Sequence, residues 1–217
     1  MAPRFRIALL AATAATVVAL ALVLLLDRPA ARSPASPSSP SGAAVQSASS
    51  SGFDGAALPA GVPARGFTLT DQSGQAVSLA AYRGQVVLLA FLDSTCGATC
   101  MLIADQIRGA LDELPRPVPV LIVSVDPAGD TPAHVGRFLE QASLSGRVRY
   151  LTGPPAELRA LWHVYRAAPA GSSSAVLDSS AAAVLVDRRG FERVLFPLEQ
   201  LTPESLVHDI RRLQSEP

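Results

Sequence analysis

The sequence contains no lysine, since all 18 of its basic residues are arginines. Schiff-base catalysis and the phosphate-binding P-loop both require a lysine amine, so the sequence excludes both kinds of site. The 18 acidic residues balance the arginines to a formal net charge of zero over 217 residues. This balance gives no electrostatic reason to expect a nucleic-acid partner.

Cysteine is almost as scarce, with two residues in the whole chain, Cys96 and Cys100. Two cysteines are too few for the disulfide framework of a small secreted domain. They follow the apolar run Val86–Leu92, which is typical of a buried strand, and they precede residues with apolar side chains at helical spacing. The pair is therefore expected where a strand turns into a helix.

A thiol at the start of a helix is close to unpaired N–H groups and to the positive end of the helix dipole. That environment favours the thiolate, the form that attacks disulfides and binds soft metals. The alternative is one structural disulfide or two buried thiols. A crosslink between residues only four apart restricts the unfolded chain little, so a passive role is the weaker interpretation.

The N-terminus has the pattern of a membrane anchor. Residues 1–6 form a short basic head, and residues 7–26 are uncharged and nearly all apolar, long enough to cross the hydrocarbon core. Arg4 and Arg6 favour a cytoplasmic N-terminus. We expect a single-pass protein of the cell membrane whose remaining residues lie outside the cytoplasm. A cleavable signal peptide is the alternative, since small residues follow at 30–33.

Composition divides the rest of the chain in two. Residues 27–59 are rich in Ser, Ala, Pro and Gly and are predicted to be a disordered tether. Residues 60–217 are predicted to form one globular domain. Its apolar patterns indicate strands and helices in the following order: strands 67–69, 77–79 and 86–92, helix 99–114, strand 118–125, helix 133–143, strand 148–151, helix 155–165, strands 182–186 and 193–196, and helix 203–213.

This order predicts an α/β domain with a mixed sheet flanked by helices. A strand–helix–strand unit makes the central strands parallel, and the last two strands form an antiparallel hairpin. A dithiol at the end of the central strand makes the arrangement thioredoxin-like. One N-terminal transmembrane helix would precede the domain.

Several motifs in this order resemble the Sco (SenC) family. The most specific is Val125-Asp126-Pro127-x-x-Asp130-Thr131-Pro132, and the Cys96-x-x-x-Cys100 spacing also matches. The remaining motifs are Phe67-Thr-Leu69 with Asp71, Gly74 and Leu79, Tyr82-Arg-Gly84 before the central strand, Leu151-Thr-Gly153, and Val184-Leu-Val-Asp187-x-x-Gly190. The resemblance covers about residues 60–215.

The resemblance implies a membrane-anchored, thioredoxin-like copper chaperone. Such proteins help to assemble the dinuclear copper centre of cytochrome c oxidase by donating copper, by reducing the target's cysteines, or by both. It implies Cys96 and Cys100 as Cu(I) ligands or as a reducing dithiol, with Cys96 as the more exposed nucleophile. The implied partner is the copper-bearing subunit of cytochrome c oxidase or another extracytoplasmic thiol protein.

The sequence departs from the family at the third copper ligand. The family has a distant histidine in an Asp-His-Ser/Thr setting, and here that setting reads Asp178-Ser179-Ser180. Two thiolates suffice for Cu(I), whereas Cu(II) prefers nitrogen ligands, so Ser179 argues against Cu(II). Gly97 and Met101 also stand where the family commonly has prolines.

The three histidines offer one weak substitute ligand. His134 follows Asp130-Thr-Pro132 at the edge expected for the cysteines, although a solvated residue in the first turn of a helix is its simpler interpretation. His163 is expected to pack at the edge of the core, and His208 to lie on the surface.

Two acidic residues, Asp126 and Asp130, have more than one interpretation. Asp126 and Asp130 are explained locally by a turn and a helix cap, or they lie beside the cysteines. Asp93 and Asp178 would add negative charge near the thiols, which would raise the pKa of the thiols and oppose the helix dipole. Two alternative functions stay open: a copper-independent thiol–disulfide oxidoreductase and a non-catalytic, partner-binding thioredoxin-like module.

The missing histidine generates a direct test. Ser179→His should create a Cu(II) site with thiolate and nitrogen ligands, because imidazole is a ligand that Cu(II) prefers. The expected result is a new Cu(II) absorption band and paramagnetic signal in the full-length protein. Absence of both signals would mean that Ser179 does not occupy the ligand position.

Overall fold

The computed structural model describes residues 51–169, 171–172 and 180–217. The predicted anchor (residues 7–26), most of the predicted tether, and Ser179 lie outside these residues. Within the described ranges, no helix combines the length and the apolar character that crossing a membrane would require.

One eight-stranded mixed sheet forms the centre of the domain, with the strand order β1-β8-β7-β4-β5-β6-β2-β3. Strands β4, β5 and β6 are parallel, and the other strand pairs are antiparallel. The strands are β1 Ala56–Ala57, β2 Thr68–Asp71, β3 Ala76–Ser78, β4 Val87–Leu92, β5 Val120–Ser124, β6 Arg149–Thr152, β7 Ala183–Val186 and β8 Glu192–Phe196.

In the described part of the chain, four α-helices connect or follow these strands, and each lies where the sequence predicted one. They are α1 Ala98–Glu113, α2 Pro132–Gln141, α3 Pro155–Tyr165 and α4 Pro203–Ser215. Proline begins three of them, where its missing N–H is not needed. Thr131 caps α2 and Thr202 caps α4, each through its side-chain oxygen. Among the described residues, short 3-10 helices lie at Leu79–Tyr82 and Leu198–Gln200.

Helices cover both faces of the sheet, and all six residues of β4 are therefore buried. Successive side chains of a strand point to opposite faces. Leu88, Ala90 and Leu92 belong to one apolar cluster, which includes residues of α1, α2 and α4. Leu89 and Phe91 belong to a second cluster, with residues of α3. The predicted α/β fold, a mixed sheet flanked by helices, is confirmed.

The parallel pair β4–β5 positions the candidate site. Carboxyl ends of parallel strands lie at the same edge of a sheet, so residues 93–97 and 125–131 leave the sheet side by side. We call this edge, formed by the ends of β4 and β5, the dithiol edge.

The folded part of the chain extends further towards the N-terminus than the boundary at residue 60 that the composition suggested. Ala56–Ala57 forms β1 and pairs with β8. Phe53 is buried, and the guanidinium groups of Arg193 and Arg212 lie 5.7 and 5.0 Å from its ring centroid. The sequence did not predict that this segment is folded, because its composition resembles that of the tether. One aromatic residue and two strand residues form too short a pattern to predict a strand.

A buried carboxylate holds this N-terminal segment in place. Asp209, on α4, is fully buried and accepts the backbone N–H groups of Asp54 and Gly55 at 2.9 and 3.0 Å. The Nδ1 atom of His208 lies 2.8 Å from the same carboxylate. Burial without such donors would be costly for a carboxylate, so the contact both satisfies Asp209 and fixes the segment.

Asp209→Ala should destabilise the domain by about 2 kcal/mol, because the buried N–H groups would lose their acceptor. Urea unfolding of the full-length protein in detergent, followed by fluorescence of its one tryptophan, measures the change. Asp54→Ala is the control, since its exposed side chain should contribute less than about 0.5 kcal/mol. Equal stability of the Asp209 variant and the wild type would contradict this role.

Candidate dithiol and metal site

The structure brings the two predicted site cysteines together. Cys96 and Cys100 form a disulfide with a Cα–Cα distance of 5.8 Å. Cys96 is exposed in the loop after β4, whereas Cys100 is 4% exposed in the first turn of α1. This difference agrees with the expectation that Cys96 is the cysteine that a partner can reach.

Gly97 separates Cys96 from the helix that carries Cys100, and its backbone conformation favours glycine. Its φ is 75° and its ψ is −135°. A Cβ atom there would meet nothing within 4 Å, so the dihedral angle and not crowding disfavours other residues. Proline, with φ fixed near −65°, cannot adopt it. The glycine therefore gives the loop a conformation that the proline common in the Sco family would not permit.

The first turn of α1 leaves its positive end open towards the disulfide. Gly97 provides no side-chain cap, and no acidic residue lies in the first turn. Cys100 lies within that turn, so the dipole and the unpaired N–H groups act on its sulfur. This geometry is the one that the sequence predicted for a reactive dithiol.

Asp93 is the third chemically active group of the site. It directly follows β4 and is 4% exposed. Its Oδ1 atom accepts hydrogen bonds from the backbone N–H and the hydroxyl of Thr95, both at 2.9 Å. A carboxylate oxygen of Asp93 and the two sulfur atoms all lie within 4.8 Å of one another. Sequence reasoning named Asp93 only as a nearby charge, since burial of a polar residue after a strand has no local sequence signal.

Asp130 lies beneath the cysteine loop as a buried hydrogen-bond centre. It accepts the backbone N–H and the hydroxyl of Ser94 at 2.7 and 2.6 Å. It also accepts the hydroxyl groups of Ser124, from β5, and of Tyr150, from β6, the latter at 2.8 Å. Of the two interpretations of Asp130, the helix cap is wrong, because Thr131 caps α2. The residue instead lies beside the cysteine loop.

Tyr150 acts as a permanent donor in this network. Burial, and secondly the negative charge of Asp130, raise the pKa of Tyr150 far above its ordinary value. The hydroxyl therefore stays protonated throughout the pH range in which proteins fold. The hydroxyl oxygen also lies 3.2 Å from the carbonyl oxygen of Leu92, at the end of β4, as a second and longer contact for the same hydrogen.

The loop after β5 closes against the cysteine loop at Gly129. A Cβ atom at this position would clash with the carboxylate of Asp126 and would lie 3.4 Å from Oγ1 of Thr95. A larger residue at position 129 would force the Asp126 side chain to move, so the close approach favours glycine. Asp126 is half-buried and accepts the backbone N–H of Ala128 at 3.2 Å, which is the turn that the sequence predicted.

Within the described part of the chain, no histidine belongs to the cluster of potential metal ligands that contains the two sulfur atoms. The Nδ1 atom of His134 lies 2.8 Å from the carbonyl oxygen of Gly129, and His134 is absent from the cluster of Asp93 and the cysteines. His163 is exposed, so the prediction that it packs at the edge of the core is wrong. His208 is exposed as predicted, beside Asp209.

An apolar pocket of about 150 Å³ adjoins the disulfide. Its lining includes both cysteines and the apolar residues Phe91, Val125 and Leu198. Among the described residues that line it, Asp93 is the one with a charge. The pocket therefore places a mainly apolar surface beside both cysteines.

The family model for SCO1/SenC matches residues 59–215. The chain belongs to the SCO1/SenC family. The match includes the dithiol edge, the loop that carries Asp130 and all four helices. No curated protein sequence matches the chain.

Solved Sco structures share its fold. ScoI of Bradyrhizobium japonicum with copper bound is 29% identical, with a TM-score of 0.53, over 70% of this chain and 99% of ScoI. Yeast Sco1 with copper bound is 19% identical, with a TM-score of 0.58, over 72% of this chain and 91% of Sco1. BsSco, a member of the Sco family of cytochrome c oxidase assembly proteins in which a disulfide switch was identified, is 21% identical, with a TM-score of 0.59, over 73% of this chain and 97% of BsSco.

Asp130→Asn should destabilise the fold by about 2 kcal/mol, because the amide cannot accept all the hydrogen bonds that the carboxylate accepts. The loss should appear in urea unfolding followed by the fluorescence of Trp162, whose indole N–H donates to the carbonyl of Ser124. The matched control is Asp126→Asn, on the same loop but half-buried, with an expected change below about 0.5 kcal/mol. If both variants unfold alike, Asp130 does not organise the dithiol edge.

Proposed function

We propose that the domain uses Cys96 and Cys100 as a reversible dithiol that carries Cu(I) for the assembly of cytochrome c oxidase. The observation that supports this most is the pairing of the two cysteines at the open end of α1, with one sulfur exposed and one buried. A pair that forms a disulfide in this position also provides two adjacent thiolates once it is reduced.

The donor set fits copper in its reduced state. Thiolates are soft ligands, and Cu(I) accepts low coordination numbers, so two sulfur atoms can hold it without a histidine. The copper bound by the Bradyrhizobium japonicum protein, at 29% identity, supports copper as the cargo here. Ser179, where the resemblance implies a histidine, makes Cu(II) the poorer candidate.

The same pair can reduce a partner before metal transfer. The thiolate of Cys96 would attack one sulfur of a partner disulfide and form a mixed disulfide, releasing a thiolate on the partner. Cys100, as a thiolate, would then attack the sulfur of Cys96 and release the second partner thiolate. The products are a reduced partner and the Cys96–Cys100 disulfide, so electrons and atoms balance.

The proposed partner is the copper-bearing subunit of cytochrome c oxidase. BsSco belongs to a family of assembly proteins for this oxidase, which supports the assignment. The apolar segment at residues 7–26 would anchor the domain to the cell membrane and keep it outside the cytoplasm, within reach of a membrane-bound partner. A disulfide can persist in that location.

One observation favours a second candidate function. In the described part of the chain no imidazole accompanies the sulfur atoms. A domain with this site can therefore act as a thiol–disulfide oxidoreductase that needs no copper. A non-catalytic, partner-binding module is the third possibility, and it requires neither activity.

Cu(I) titration of the reduced full-length protein in detergent tests the proposal. One equivalent should bind tightly in competition with a Cu(I) chelator, and Cys96→Ser should weaken binding at least tenfold, because one of the two thiolates is lost. Met101→Leu is the control, since it removes a neighbouring thioether and should leave the affinity unchanged.

The other outcomes separate the alternatives. No Cu(I) binding, together with rapid reduction of a model peptide disulfide, would refute the copper role and favour the oxidoreductase. Absence of both activities would leave the partner-binding module.

A further inference from the structure

Asp93 is as close to the sulfur atoms as a metal ligand would be. One of its carboxylate oxygens and the sulfur atoms of Cys96 and Cys100 lie within 4.8 Å of one another. The three residues belong to one short segment at the end of β4 and the start of α1. A single ion placed between them could contact all three with small side-chain movements.

The carboxylate is buried without a positive partner. Asp93 is 4% exposed, and it forms no ion pair within the described ranges. Both hydrogen bonds from Thr95 go to Oδ1, so Oδ2 is not engaged by them. Burying an ionised carboxylate is costly unless it is paired or coordinates a metal. A cation bound beside Asp93 would supply the missing charge.

We propose that Asp93 is the third ligand of a divalent-ion site formed with the thiolates of Cys96 and Cys100. The inference rests on the proposed function only in requiring that the cysteines can be reduced to a dithiol. Two sulfur atoms and one carboxylate oxygen form a ligand set that suits Zn²⁺ and its spectroscopic substitute Co²⁺, with a water as the fourth ligand. The Asp93 carboxylate then takes the place of the nitrogen ligand that the described residues do not provide.

The third ligand should separate ions by charge and softness. Cu(I) is satisfied by two thiolates and gains little from a hard carboxylate oxygen. A divalent ion prefers more ligands and benefits from the additional negative charge of Asp93. The site would therefore hold Cu(I) without Asp93, but a divalent ion only with it.

Metal titration of Asp93→Asn tests this assignment. Asparagine keeps the acceptor for Thr95 but removes the charge, so the local turn should persist. With the reduced full-length protein in detergent, Zn²⁺ and Co²⁺ affinities should fall at least tenfold, and the visible spectrum of bound Co²⁺ should change. Cu(I) affinity should change less than twofold. Asp93→His, which provides a nitrogen ligand at the same position, should retain divalent-ion binding.

Two controls separate the effect of Asp93 from those of neighbouring carboxylates and of a second metal cluster. Asp126→Asn removes a carboxylate of the same edge that is outside the cluster, and its Zn²⁺ affinity should equal that of the wild type. The oxidised protein has no thiolate and should lose this binding, so any remaining Co²⁺ signal would come from another cluster, such as Asp54, His208 and Asp209.

The outcomes distinguish this inference from the proposed function. Equal Zn²⁺ affinity in the wild type and Asp93→Asn, or retention of the wild-type Co²⁺ spectrum, would overturn the role of Asp93 even if Cu(I) still binds. Absence of Cu(I) binding with Asp93-dependent Zn²⁺ binding would refute the copper proposal and leave this inference standing.

Discussion

The carboxylate of Asp130 connects the loop that carries Cys96 to the strands β5 and β6. It accepts hydrogen bonds from Ser94, Ser124 and Tyr150, which come from the cysteine loop and from two neighbouring strands. Hydrogen bonds to a charged acceptor in a buried site are strong, and leaving any of these groups unpaired would be costly. The loop that presents Cys96 is thereby fixed to the sheet, although it lies at a surface.

Local patterns predicted most of the fold because they involve residues close in sequence. The helices α2 and α4 lie where their apolar patterns predicted them, and the buried strand β4 follows from its continuous apolar run. The first strand, Ala56–Ala57, could not be predicted, since its pairing with β8 depends on residues more than 130 positions away. Propensity carries no information about such contacts.

The candidate site divides in the same way. The sequence predicted Cys96 and Cys100 as site residues, because they are the only cysteines in the sequence and lie where a strand turns into a helix. The role of Asp130 was ambiguous, since a carboxylate before a helix is equally consistent with a cap, and its donors Ser124 and Tyr150 become neighbours only in the folded sheet. The burial of Asp93 could not be predicted either, because it depends on how the strands and helices pack.

Asp93 and Asp130 have the same side chain and comparable burial, but their different hydrogen-bond partners give them different roles. Asp130 receives donors on both oxygens and is electrostatically satisfied, so it has little to offer a ligand. Asp93 receives two donors from Thr95 on a single oxygen and faces the sulfur atoms. Hydrogen bonds within the fold offset the cost of burying the Asp130 carboxylate, and at Asp93 a bound cation would offset more of that cost. This asymmetry makes one aspartate a structural centre and the other a ligand.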